Sequence, residues 1–134
     1  HTHGEVLYVE QGCRGIRGEA MDGFPAVAQI ALPALRQFRK EGRADNEAYI
    51  QTLLLLLSQV EDTNILSRSN QATLAEAQAA AQEVLAKGGA FTKEGMEAVW
   101  ELNERFVEKN ISPGGCADLL ILAIFLEKME GLME

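Results

Sequence analysis

Asp118 follows Gly114 by four residues and Gly115 by three, so a helix opening at Ser112-Pro113 sets all three on one face of its amino end. Ser112 suits a helix N-cap, and Pro113 suits the first turn, where its missing N–H would go unpaired anyway. Two positions without side chains let an anion reach the free backbone N–H groups, where the helix dipole favours negative charge. Asp118 would repel that anion unless a cation lies between them. The residues therefore suit a phosphate–metal–carboxylate arrangement. They equally suit a capped core helix in which Asp118 only complements the dipole.

Two further stretches carry related chemistry. Glu61-Asp62-Thr63-Asn64 sits between leucine-rich runs, where a core would meet a cleft, and Arg68 follows shortly after. Asp62 can ligate a divalent ion, Asn64 offers a donor and an acceptor, and Arg68 can hold phosphate. The same residue types also make an ordinary helix–helix turn. Near the amino terminus, Gln11 to Pro25 forms a loop with glycines at 12, 15, 18 and 23. Its Arg14 and Arg17 suit bidentate phosphate recognition, with Glu19 beside them. Its glycine spacing is not that of a dinucleotide-binding loop, and the alternative is a surface loop.

Helices must position these groups. Ala26, Val27, Ile30, Leu35 and Phe38 recur at helical spacing from Pro25 to about Glu41, with a kink expected at Pro33. A second helix, capped by Asp45 or Asn46, carries Leu53–Leu57 and reads as interior. An Ala/Gln-rich helix runs from Thr73 to Lys87 and stops at Gly88-Gly89. Thr92 caps another, through Met96, Val99, Trp100, Leu102, Phe106 and Val107. The run Leu119–Leu126 is apolar on every side, which predicts a second buried central helix, too short to span a membrane. Glu5–Val9 alone has β character and reads as an extended arm. The expected fold is all-α: one compact bundle of five to six helices over residues 1–134, around one or two buried central helices, with the Gly/Arg loop near its amino terminus.

Composition narrows the function classes. With 134 residues, 47% apolar and 24% charged, the chain suits a single soluble domain. A net charge of −8 argues against nucleic acid or an anionic membrane as partner. Cys13 and Cys116 make no metal-ligand spacing, which suits free thiols in the cytoplasm. The histidines, His1 and His3, lie at the extreme terminus, so Ser/His/Asp and Cys/His catalysis are excluded. Arginine, carboxylate, amide and helix N-terminus remain, a set suited to metal-assisted work on phosphate esters. An opening without methionine suggests a fragment or processed product.

Taken together, Thr2-His3-Gly4-Glu5, Arg17-Gly18-Glu19-Ala20, Gly23-Phe24-Pro25, Leu32-Pro33-Ala34-Leu35, Asp62-Thr63-Asn64 and Ser112-Pro113-Gly114-Gly115-Cys116-Ala117-Asp118-Leu119-Leu120 stand in an order that resembles one family. It is the carboxyl-terminal half of the triphosphoribosyl-dephospho-coenzyme A synthases, all-α enzymes of the citrate lyase and malonate decarboxylase systems. The resemblance implies transfer of a triphosphoribosyl group from ATP to 3′-dephospho-coenzyme A with release of adenine. It also implies a missing amino-terminal half, or a second chain, as partner. On this reading Asp62 and Asp118 are expected on Mg²⁺ and in catalysis, with Glu19 as base or second metal ligand. Arg14, Arg17, Asn64, Arg68, Ser112 and the Gly114 and Gly115 amides are expected at substrate phosphates. Two alternatives belong to other classes: a helical scaffold that is inactive alone, and a helical metal-dependent nucleoside phosphate hydrolase.

Overall fold

A computed structural model of the protein describes residues 23–133, and every regular element among them is helical. The Glu5–Val9 arm, the terminal histidines and the loop bearing Arg14, Arg17 and Glu19 lie outside the described residues. A π-helical segment, Val27–Ala31, runs into α1, Leu32–Lys40. Then come α2, Asp45–Gln59; α3, Thr63–Arg68; and α4, Gln71–Ala86. A 3₁₀ turn, Gly89–Phe91, leads into α5, Lys93–Glu108, and α6, Gly114–Met133, closes the chain.

The expected kink at Pro33 appears as a change of helix type. Leu32 N–H bonds back to the Val27 carbonyl, five residues away, just before the proline. Pro33 has no N–H to continue the regular ladder, and a wider turn ahead of it accommodates that loss. The helix beyond stays regular, with Pro33 in its first turn.

The leucine-rich helix α2 is the centre. It contacts α1, α4, α6, the π segment and the 3₁₀ turn, and no residue from Glu47 to Ser58 is exposed. Its buried hydroxyls return to their own backbone. Thr52 Oγ1 donates to the Ala48 carbonyl at 2.7 Å, and Ser58 Oγ to the Leu55 carbonyl at 2.8 Å. Neither is therefore left unpaired in the core. The helix begins at Asp45, so Asp45 and Asn46, the expected caps, both lie in its first turn, and its N-cap Ala44 supplies no side-chain bond.

Helix α4 packs along α2, which explains its alanine and glutamine content. Ala77 and Ala81 are buried and keep the two helices close. Gln78 Nε2 donates to the Val60 carbonyl at 3.0 Å, and Gln82 Nε2 to the Ser58 carbonyl at 3.1 Å. Those carbonyls belong to the carboxyl end of α2, whose last acceptors have no partner within the helix. The α4 boundary begins at Asn70, whose Oδ1 accepts from Thr73 N–H.

Gly88 (φ +103°) and Gly89 (φ +58°) turn the chain back toward α5. Thr92 caps that helix, its Oγ1 accepting from Gly95 N–H at 2.9 Å. At the other end Asn110 takes φ +58°, and Ile111 N–H closes onto the Phe106 carbonyl at 2.8 Å. Asparagine tolerates that left-handed geometry better than most residues, and the turn aims the chain into α6.

Helix α6 packs on α1, α2, α3 and the π segment. Cys116, Ala123 and Leu126 are fully buried there. Bidentate pairs join it to α1: Arg36 with Glu130, and Arg39 with the buried Glu127. Its covering is one-sided, however. Ile121 is 64% exposed and Phe125 50% exposed, so this second apolar helix flanks the core instead of crossing it. An all-round apolar sequence marks the intent to bury every face, and the described residues cover only one side.

Substitution at two glycines separates packing from propensity. A Cβ at Gly95 would stand 2.0 Å from the Gly89 carbonyl oxygen, whereas one at Gly131 meets nothing within 4 Å. Gly95→Ala is expected to destabilise by about 3 kcal/mol, and Gly131→Ala to stabilise by up to about 1 kcal/mol. Urea denaturation of both variants checks the pair.

Candidate functional site

The polar stretches around Asp62 and Asp118 meet where α3 and α6 begin. Asp62 is the N-cap of α3, its Oδ1 accepting from Asn64 N–H at 2.9 Å and Ile65 N–H at 3.1 Å. The same Oδ1 accepts from Gly115 N–H at 3.2 Å, and Oδ2 from Cys116 N–H at 2.8 Å. One carboxylate thus satisfies the first N–H groups of two helices, a placement the dipoles of both favour. Asp62 is only 1% exposed, and these four donors offset the cost of burying it.

This arrangement changes the reading of the glycine pair. An anion does occupy the amino end of α6, and it is Asp62 itself. A Cβ at Gly115 would lie 2.8 Å from Asp62 Oδ1, and one at Gly114 would lie 3.0 Å from Asn64 Nδ2. The two glycines therefore let α3 approach α6. Asn64 Nδ2 also donates to the Ser112 carbonyl at 2.8 Å, tying the α6 approach to α3 a second time. Ser112 was expected as the N-cap of α6. The helix begins at Gly114, Ala117 N–H bonds to the Pro113 carbonyl at 2.9 Å, and capping of Gly115 and Cys116 comes from Asp62 across the junction.

The reach of each expected residue differs. Asp62, Gly115 and Asp118 line one cleft of about 400 Å³, together with Phe24, Glu61 and Leu122. Asp118 and Glu61 are exposed there, with carboxylates open to solvent, while Asp62 is spent on backbone donors. Asn64, Ser112 and Gly114 adjoin the cleft through the α3–α6 contact. Arg68 is exposed at the far end of α3 and does not line it. In the sequence Glu61 is not distinguished from the rest of its polar stretch. Its position at the carboxyl end of a buried helix was the available signal. Among the described residues no group of three His, Cys, Asp or Glu side chains is arranged to hold a metal.

Cys116 lies directly beneath Asp62. Burial pushes its thiol well above the usual range, and the charge and hydrogen bonding of Asp62 push the same way. The thiol stays protonated, free and buried, which suits packing and not nucleophilic chemistry.

An all-helical domain with two open carboxylates in a cleft beside a helix junction is what the geometry defines. Residues 1–134 match the family described as CitG: ATP:dephospho-CoA triphosphoribosyl transferase, and the chain belongs to that family. It is 44% identical over 131 residues to a probable 2-(5''-triphosphoribosyl)-3'-dephosphocoenzyme-A synthase of Photobacterium profundum, a match covering 98% of this chain and 42% of that one. A protein of Pectobacterium atrosepticum named 2-(5''-triphosphoribosyl)-3'-dephosphocoenzyme-A synthase is 44% identical over 125 residues, 93% of this chain and 40% of the relative. A probable synthase of Pseudomonas putida is 38% identical over 131 residues, 98% and 47% of the two chains. The chain therefore spans less than half the length of these curated relatives. No solved structure matches.

Asp62→Ala is expected to cost about 3 kcal/mol of stability, because it orphans N–H groups at two helix ends. Asp62→Asn keeps one acceptor oxygen but turns a donor toward another N–H, so it should recover only part of that loss in urea denaturation.

Cys116 adds a pH dependence of fixed sign. The folded state keeps a proton that the unfolded thiol loses near pH 8.5, so this stabilisation is complete below that pH and declines above it. Between pH 8 and pH 10 the chain should lose on the order of 1 kcal/mol more than Cys116→Ala does. Paired denaturation curves at the two pH values measure it.

Proposed function

We propose that this chain is the part of a triphosphoribosyl-dephospho-coenzyme A synthase that presents Asp118 to the substrates. The reaction joins the ribose 2′-hydroxyl of 3′-dephospho-coenzyme A to C1″ of the ATP ribose. The bond from C1″ to adenine breaks, and adenine leaves carrying the proton given up by the hydroxyl. The family match across residues 1–134 carries this reading, and the named relatives support it.

The roles follow from exposure and charge. Asp118 and Glu61 are exposed in one cleft, their carboxylates unpaired among the described residues, and Mg²⁺ commonly takes one or two carboxylates with the remaining ligands from phosphates and water. That donor set fits Mg²⁺ when a nucleotide supplies phosphate oxygens, and the ion would then neutralise them. Asp62 serves as a positioning residue, fixing the start of α6 and hence Asp118 one turn along. Arg14 and Arg17 are the cations assigned to phosphates, and Glu19 is the candidate base. Arg68 stands apart from the cleft and is assigned to the outer part of a long substrate. The rest of the longer enzyme supplies the remaining site.

Calorimetry with Mg-ATP tests the assignment. Asp118→Ala is expected to weaken binding at least tenfold while leaving the urea midpoint unchanged, because its side chain is exposed. Unchanged affinity would remove Asp118 from the site. Adenine release that requires dephospho-coenzyme A is the expected reaction of the assembled enzyme. Phosphate release without that acceptor would indicate a hydrolase, and absence of Mg-ATP binding in every form would indicate a helical scaffold.

A further inference from the structure

The solvent face of α6 is built like an interior surface. Asp118, Ile121, Phe125, Lys128 and Leu132 are all exposed, and their steps of three, four, three and four residues place them on one stripe. Ile121, Phe125 and Leu132 are 64%, 50% and 84% exposed. Single exposed apolar residues need no explanation, but an apolar seam at this spacing is the pattern by which one helix receives another. Its flanks sharpen the point. Ala117, Leu120, Leu122 and Ile124 beside it are half-buried and apolar. Trp100 and Val107 on α5 are also exposed, but Glu101, Glu104, Arg105 and Glu108 surround them.

We infer that this face of α6 is the seat of a helix from the portion of the family's longer chains that this chain does not span. The matched relatives carry more than half their length outside the region shared with this chain. That length is ample to supply a covering helix. The α6 stripe is a long, apolar, uncharged-flanked face suited to it, with Asp118 and Lys128 as its polar positions. The stripe also runs into the cleft, since Asp118 belongs to both and Leu122 lines the cleft from the stripe's edge. A helix seated there walls the cleft beside Asp118 and brings further side chains to it. The docking rests on family membership. Only its consequence for the cleft rests on the proposed reaction.

The test uses a full-length chimera in which this chain replaces the matched region of the Photobacterium profundum relative. Phe125→Cys and Trp100→Cys are introduced separately, and thiol labelling at each position is followed by peptide mass spectrometry. Both should label rapidly in the isolated chain. In the chimera, position 125 is expected to slow at least tenfold and position 100 to stay unchanged. Equal labelling of position 125 in both forms would overturn the proposal. So would protection in the isolated chain accompanied by a dimer mass in light scattering, which would assign the face to a second copy.

If the chimera does not fold, the tagged chain is co-expressed with the remainder of that relative. A one-to-one complex that Phe125→Asp abolishes supports the docking. Either a complex that survives Phe125→Asp combined with Ile121→Asp, or no complex at all, overturns it. Protection at position 125 in a chimera that releases no adenine would uphold the docking and reject the proposed reaction.

Discussion

A single buried carboxylate governs the geometry of the candidate site. Asp62 gathers four N–H groups from two helix starts, and nothing else among the described residues ties those starts so directly. Burying an ionised group is costly unless donors replace its water, and here two helix dipoles and four donors do so together. The requirement propagates outward. Gly114 and Gly115 must lack side chains so that α3 can reach α6. Cys116 must be small and neutral beneath the charge. Asn64 fixes the lead-in to α6 through the Ser112 carbonyl. The start of α6, and with it the place of Asp118 one turn along, is set chiefly by this side chain.

The remaining helices hold that junction against a central rod. Helix α2 brings Glu61 and Asp62 to its carboxyl end while burying every turn from Glu47 to Ser58. Its neighbours reach it through small residues, as at Ala77 and Ala81, or through side chains that meet backbone, as at Gln51, whose Oε1 accepts from Ala90 N–H at 2.8 Å. On the opposite side Arg36 and Arg39 clasp Glu130 and Glu127, fixing α6 near its far end. The helix is therefore held at its start by a cap and near its end by ion pairs, with the apolar contacts between.

Local signals in the sequence located most of the helices. Leucines 53–57 announced an interior helix, Thr92 a cap and Gly88-Gly89 a stop, and each has its physical cause within a few residues. What was hidden depends on partners far along the chain. Ser112 looks like a cap because serine often is one, yet the acceptor comes from Asp62, fifty-odd residues earlier. The glycine pair has the same appearance whether the approaching oxygen belongs to a phosphate or to an aspartate. The exposed face of α6 was concealed for another reason. Periodicity reports which residues are apolar, and Leu119–Leu126 is apolar everywhere, so no polar stripe marked the side left open. Asp118 and Glu61 were visible as carboxylates, and only the fold distinguishes them from Asp62 by leaving them exposed.

The amides that finish α2 bear on what can enter the cleft. A helix carboxyl end is partly negative, and proteins often answer it with lysine or arginine. Here Gln78 and Gln82 satisfy the backbone acceptors without contributing charge. No described residue lining the cleft is basic, while Glu61, Asp62 and Asp118 all belong to it. Among the described residues, then, the cleft gathers three carboxylates, and the helix end beside it is capped by neutral amides. A polyanion lodging against those carboxylates needs positive charge between, so its occupancy is coupled to cation activity in the surrounding solution as well as to the arginines the chain itself brings.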